Sequence, residues 1–179
     1  MNYIKISKED IANGLGLRVV LWVSGCEIHC KNCQNPQTWN KDNGMLFDKE
    51  VKEEIFIELS KDYISGLTLS GGHPLEDYNL ETVYLLLKEV KEKFPQKNIW
   101  LYTGYTWEQI FPEVVTDDFD VNRVYRQEIV KMCDVLIDGP YVEEQRDITL
   151  KWRGSKNQRV IDVKKTIEAG NKNVILLCD

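Results

Sequence analysis

Apolar and polar positions switch repeatedly between a strand-like and a helix-like period, and the switches lay out the elements of the chain. Leu17-Arg18-Val19-Val20-Leu21-Trp22-Val23 is a β-branched, apolar run of the kind shown by a strand covered on both faces of a parallel sheet. Asn2 to Ser7 reads as a short strand before it. Asp48 is an N-cap residue type, and Val51, Ile55, Ile57 and Leu59 after it predict a helix over about Lys49 to Lys61. Leu67-Thr68-Leu69-Ser70 predicts another strand. Asp77 then caps a helix running to Lys93, with Leu80, Val83, Leu87 and Val90 among its apolar positions and Pro95 closing it. Asn98 to Thr103 predicts a strand, Trp107 to about Met132 a mixed stretch with at least one helix, and Asp134 to Asp138 a buried strand. The tail reads as a strand over Arg159 to Val163, a helix over Lys164 to Ala169 stopped by Gly170, and a last strand over Asn173 to Cys178.

Strands alternating with helices at this rate describe an α/β fold of βα units on a largely parallel sheet. A βαβ unit takes about 30 residues and a closed eight-fold barrel about 250. The 179 residues therefore predict one domain over 1–179, an incomplete, open TIM-type barrel of about five to six βα units. Its missing side leaves a mouth that could admit a loop of another protein. Hydrophobic residues at 42% and charged residues at 29% are the composition of a soluble globular chain, and the net charge of -6 disfavours a nucleic-acid partner. The apolar runs Val19 to Val23 and Val174 to Cys178 are too short to span a bilayer, and the first residues form no apolar signal segment. A cytoplasmic protein with reduced thiols and no membrane partner is expected.

The candidate chemistry begins at Cys26-Glu27-Ile28-His29-Cys30-Lys31-Asn32-Cys33, which leaves the C-terminal end of the first buried strand. Thiolates at this density are a ligand set for zinc or an iron–sulfur cluster, either of which ordinarily takes four protein ligands. Only three are local. The remaining Cys133 and Cys178 lie beside or within apolar runs and read as small buried hydrophobes. Either His29 or His73 completes a Cys3His zinc site, or one iron of a cubane cluster is left open to a small molecule. Five cysteines in 179 residues are too sparse and odd in number for a disulfide framework. One βα unit on, Ser70-Gly71-Gly72-His73-Pro74 exposes backbone groups to a ligand at the end of a strand, although a plain tight turn would look the same.

In spacing and setting the cysteine loop resembles that of the radical S-adenosylmethionine (SAM) enzymes. The resemblance implies that Cys26, Cys30 and Cys33 hold a [4Fe-4S] cluster whose open iron chelates SAM. It puts Asn32 and Gln34 on the cofactor side of the loop, Asn32 standing where the family usually has an aromatic residue near the adenine. Gly71, Gly72 and His73 resemble the family's Gly-Gly-Glu motif for the methionine amino group, with an imidazole replacing the carboxylate. Gly14-Leu15-Gly16-Leu17-Arg18 is similar to the G-x-G-x-R segment of the glycyl-radical-enzyme activases. Trp152-Arg153-Gly154-Ser155 with Asn157-Gln158-Arg159-Val160 resembles the branch that activates anaerobic ribonucleoside-triphosphate reductase. Cys33-x-Asn35-Pro36-x-Thr38-Trp39, Thr103-Gly104-Tyr105 and Asp138-Gly139-Pro140 extend that likeness over nearly the whole chain.

In that branch reduced flavodoxin or a similar donor gives an electron to the cluster, and SAM is cleaved to methionine and a 5′-deoxyadenosyl radical. The radical takes a hydrogen atom from a glycine of the reductase large subunit. No catalytic side chain beyond cluster and SAM is implied, which suits a chain with two histidines and no evident dyad. The rivals are another radical SAM activase or small-molecule enzyme, and a zinc-binding interaction module. For Arg153 to Arg159 the residues alone suggest only a solvated loop or a weak anion site.

Overall fold

The computed structural model describes residues 1–114 and 119–178. In chain order the strands are β1 (Asn2–Asp10), β2 (Leu17–Val23), β3 (Met45–Leu46), β4 (Ile64–Gly71), β5 (Asn98–Tyr102), β6 (Val135–Asp138), β7 (Arg159–Asp162) and β8 (Leu176–Cys178). The helices are α1 (Lys49–Leu59), α2 (Asp77–Lys93), α3 (Trp107–Ile110), α4 (Val121–Met132) and α5 (Val163–Glu168). Of the mixed stretch expected after Trp107, residues 115–118 lie outside the described residues.

All eight strands join one open sheet in the order β3-β1-β2-β4-β5-β6-β7-β8. The α/β expectation holds and the sheet is open as expected, but it is a single open sheet rather than a part-barrel of the TIM type, and its parallel part is the four strands β2, β4, β5 and β6 rather than five or six units. The cause lies in the connections. A parallel neighbour needs a crossover of a dozen or more residues, usually a helix, whereas an antiparallel one can follow a short turn. Residues 11–16 are all that separate β1 from β2, and the described chain between β6 and β7 holds only a short 3-10 turn at Glu143–Gln145. Both pairs are antiparallel, as are β1 with β3 and β7 with β8.

The helices cover one face. Val19, Leu21 and Val23 of β2 and Leu67 and Leu69 of β4 pack into the main core with Leu80, Val83, Leu87 and Val90 of α2 and Ile129 and Val130 of α4. On the other face Trp100, Val135, Ile137 and Val160 form a smaller cluster, with Tyr102, Trp152 and Cys178 against it. Full burial of each such side chain contributes about 1.5–3 kcal/mol.

Asp48 caps α1 as expected, accepting from Val51 N at 3.0 Å. Asp77 does not cap α2: the N-cap is Glu76, and Asp77 is the first helical residue, paired with Arg126. The last strand starts at Leu176 rather than Asn173, and the Ile175 N–H goes to Thr166 Oγ1 at 3.0 Å.

Arg18 lies wholly inside the molecule and, among the described residues, has no carboxylate in hydrogen-bonding reach. Its Nε donates to Thr68 Oγ1 at 2.6 Å, one terminal nitrogen to Leu15 O and Asn98 Oδ1, and the other to Leu67 O and Asn98 O. All five N–H groups are spent, and the Trp100 ring lies 5.2 Å from the guanidinium carbon. Burial lowers its pKa to about 10. A Cβ on Gly14, where φ is +137°, would sit 2.7 Å from Arg18 Cδ, so the first glycine of the G-x-G-x-R segment makes room for the arginine.

Candidate cluster and cofactor site

The cysteine loop and the glycine pair leave neighbouring parallel strands at the same end, and their backbones touch. Gly72 N donates to Val23 O at 2.8 Å and His73 N to Gly25 O at 2.7 Å. A Cβ on Gly72 would lie 2.5 Å from Gly25 O, and one on Gly71 (φ +100°) would lie 2.9 Å from the backbone of Trp22. The glycines thus dock one loop onto the other, and the Gly72 N–H is already used. The cysteine loop is pinned by Gly25 N to Thr38 O at 2.7 Å and Cys26 N to Trp39 O at 3.1 Å. It turns through left-handed residues at Gly25, His29 and Asn32 (φ 55°). Asparagine tolerates that conformation better than an aromatic residue does, so Asn32 has a backbone reason for its place.

Between the two loops lies a cleft of about 480 Å³, whose wall includes seven of the eight predicted site residues: Cys26, Cys30, Cys33, Gln34, Gly71, Gly72 and His73. Asn32 is exposed and not part of the wall. All three cysteines are free and partly buried. Burial pushes the Cys26 and Cys30 thiols up, while backbone hydrogen bonds from Ile28 and His29 to Cys26, and from Tyr141 to Cys30, pull them down. Cys33 Sγ accepts from Asn35 N at 3.3 Å. Three soft donors with backbone N–H groups beside their sulfurs fit an iron–sulfur cluster, whose potential such bonds tune. Cys133 is fully buried in the main core and Cys178 partly buried against the smaller cluster, and neither lines the cleft.

Both ring nitrogens of His73 are taken. Nδ1 lies 2.8 Å from Glu76 Oε1 and Nε2 2.7 Å from Thr103 Oγ1, with the Tyr105 ring edge-on at 4.5 Å. Glu76 Oε1 also accepts from Glu27 N at 2.9 Å, so this carboxylate serves the cysteine loop and does not cap α2. Burial raises the Glu76 carboxyl, but the hydrogen bonds from His73 and Glu27 outweigh it and leave it below its ordinary value. Cys26 Sγ, a His73 nitrogen and a Glu76 oxygen lie within 4.8 Å of one another. The acidic function missing at position 73 is thus present three residues on, behind the histidine. Sequence reading passed over Glu76. His29 is exposed with its ring on Trp39 at 4.7 Å and does not line the cleft. His29 therefore stands outside the cleft that holds the three cysteines, and both ring nitrogens of His73 are engaged by Glu76 and Thr103.

The Arg153 to Arg159 segment, for which the sequence alone showed no role, clamps the loop after β6. Gln158 Nε2 donates to Gly139 O at 3.1 Å, Asn157 Nδ2 to Pro140 O at 2.7 Å, and Val142 N to Ser155 Oγ at 3.1 Å. Arg159 Nε reaches Asp138 Oδ1 at 3.0 Å, and its terminal nitrogens reach Glu108 at 3.0 and 2.9 Å. Asp138, itself 1% exposed, also accepts from Trp107 N at 2.8 Å. Gly139, Pro140 and Tyr141 are thereby held on the wall of the cleft.

A family model described as a 4Fe-4S single cluster domain matches residues 12–161. The chain is 44% identical over 160 residues to the anaerobic ribonucleoside-triphosphate reductase-activating protein of Enterobacteria phage T4, covering 89% of this chain and 93% of the relative. To the proteins of the same name from Haemophilus influenzae and Escherichia coli it is 40% and 35% identical, over 88% and 89% of this chain and 96% and 97% of theirs. The cysteine cleft therefore sits in a 4Fe-4S domain, and the chain belongs to the family of anaerobic ribonucleoside-triphosphate reductase-activating proteins.

Proposed function

We propose that the chain is a radical SAM enzyme that activates anaerobic ribonucleoside-triphosphate reductase by generating a glycyl radical on its large subunit. The observation that carries the reading is the single cleft shared by Cys26, Cys30 and Cys33 and the Gly71-Gly72 turn, in a chain of this family. On this reading the three cysteines hold the [4Fe-4S] cluster. Gly71, Gly72 and His73 serve the methionine end of SAM and Gln34 its adenosine end, while Asn32, outside the cleft wall, shapes the loop there through its left-handed backbone. When bound, cluster and SAM supply one-electron reductive cleavage and hence hydrogen-atom abstraction.

The protein's own residues position and shield. N–H groups of Ile28, His29 and Asn35 stabilise charge on the ligand sulfurs. With both ring nitrogens paired, His73 acts by fixing Glu76 and Thr103 beside the cysteine loop. Trp39 and Tyr141 wall the cleft and limit access of water and oxygen. The open side of the sheet admits the glycine-bearing loop of the reductase, and reduced flavodoxin or a similar donor supplies the electron. Five free cysteines suit a reducing compartment, the cytoplasm, and no helix among the described residues is long and apolar enough to cross a membrane.

The test is anaerobic cluster reconstitution, reduction and addition of SAM. Release of 5′-deoxyadenosine and methionine is expected, followed by a glycyl-radical signal on the added reductase. An intact reduced cluster that yields no 5′-deoxyadenosine refutes the chemistry. Product without a reductase signal refutes the target.

A further inference from the structure

Among the described residues two buried side-chain donors have no hydrogen-bond partner, Trp39 Nε1 and Arg153 Nε, and both side chains line the cleft. The other unpartnered buried side-chain atoms are amide oxygens of Asn79, Asn157 and Asn171, none of which belongs to its wall. Leaving a buried donor unmet forfeits its hydration without compensation, and the cost is greater when the donor is charged. Two such donors on one cavity mark where a ligand brings acceptors.

The charge pattern narrows the ligand. Arg153 is the one Arg, Lys, Asp or Glu among the residues lining the cleft, and among the described residues it forms no ion pair. Its flanks are fixed. Trp152, in a left-handed conformation at φ 60°, packs its ring on Trp100 at a centroid distance of 5.0 Å, and Gly154 N donates to Gln158 Oε1 at 2.9 Å. A guanidinium carried on a fixed stretch of backbone, in a cavity with no acid in its wall, matches a planar anionic oxygen group. An indole N–H adds a second donor and no acceptor.

We propose that Arg153 binds the carboxylate of the ligand in this cleft, with Trp39 Nε1 donating to another acceptor of the same molecule. Resting on the radical SAM reading above, that carboxylate is the one at the methionine end of SAM. The Arg153 to Arg159 segment thereby supplies a cofactor contact, in addition to clamping the loop after β6.

The experiment measures binding by equilibrium dialysis of cluster-loaded protein with labelled SAM and with decarboxylated SAM, for wild type, Arg153→Gln, Arg153→Lys and Trp39→Phe. Charge-assisted hydrogen bonds of this kind amount to about 1.5–3 kcal/mol, so Arg153→Gln should weaken SAM roughly ten- to a hundredfold. It should leave decarboxylated SAM unchanged, and Arg153→Lys should recover part of the loss. Trp39→Phe, which keeps an aromatic group while removing the N–H together with the pyrrole ring, should weaken both ligands less. Equal SAM affinity in wild type and Arg153→Gln overturns the proposal alone, as does equal weakening of both ligands. Unchanged SAM affinity with weakened capture of the reductase assigns Arg153 to an acidic group of the partner and also overturns it. A cluster-loaded wild type that binds neither nucleoside overturns the radical SAM reading together with this one. Iron content and thermal midpoint are measured for each variant, and Arg153→Lys or Trp39→Phe carries the test if Arg153→Gln does not fold.

Discussion

Replacing Arg159 by methionine should be among the most damaging single changes at the rim of the cleft. The guanidinium joins two carboxylates in different settings: Asp138 is 1% exposed at its side chain and Glu108 is 62% exposed. Removing it leaves Asp138 as a buried charge supported by the Trp107 N–H, a situation that costs about 3–5 kcal/mol. The Glu108 half of the bridge is solvated, so Glu108→Gln should cost only about 0.2–1 kcal/mol. Neutralising the orphan should reverse most of the damage, and Asp138→Asn combined with Arg159→Met should be clearly more stable than Arg159→Met alone. Anaerobic urea unfolding of the cluster-free protein reads this directly. At a slope of about 2 kcal/mol/M, the single variant should lose about 1.5–2.5 M in midpoint. If Arg159→Met costs no more than Glu108→Gln, or if adding Asp138→Asn deepens the loss, the buried-charge reasoning is wrong.

Serine at Cys26, Cys30 or Cys33 should abolish retention of iron and sulfide after reconstitution, while Cys133→Ala and Cys178→Ser should retain it; a loss at Cys178 equal to that at Cys30 would contradict the ligand assignment. Gly72→Ala brings a methyl group within 2.5 Å of Gly25 O; it should lower stability by about 1–3 kcal/mol, seen as a reduced thermal midpoint, and an unchanged midpoint would show that the two loops are not in contact. Glu108 titrates at about 2 instead of 4.5, held down first by its hydrogen bonds from Arg159. A depressed carboxyl stabilises the folded state above its unfolded pKa, so the contribution is present above about pH 4.5 and fades as the pH falls toward 2. The gap between wild type and Glu108→Gln, under about 1 kcal/mol at this exposure, should therefore narrow in acid, and a widening gap would reverse the sign of the argument.

Much of the site was legible because its signals are local. Three thiols in eight residues and two glycines closing a strand carry their meaning wherever the fold puts them, and both fall at one end of the parallel strands. The Asp48 cap was legible for the same reason, since donor and acceptor are three residues apart. Strand direction was less so. Period-two patterning says nothing about polarity, and the information lay in the shortness of residues 11–16 between β1 and β2. Glu76 stayed hidden because the partner that gives it a role in the site, the Glu27 N–H, lies 49 residues away and meets it only when the two loops fold together. The Arg153 to Arg159 segment is the plainest case: its hydrogen-bond partners sit on the loop after β6. No spacing within the segment could announce them.

The guanidinium of Arg18 has a consequence for how the sheet breathes. It bonds to groups on the approach to β2, on β4 and at the start of β5, on the side away from the cysteine loop. Strands tied through one planar group cannot fray singly without stranding a buried cation, so amides of β2, β4 and β5 should exchange with deuterium together, near the rate of global unfolding. The two-residue β3 and three-residue β8 at the edges have no such tie and should exchange through small local openings. The cysteine and glycine loops, at the other end, can then adjust to what they hold while the strands beneath them stay locked.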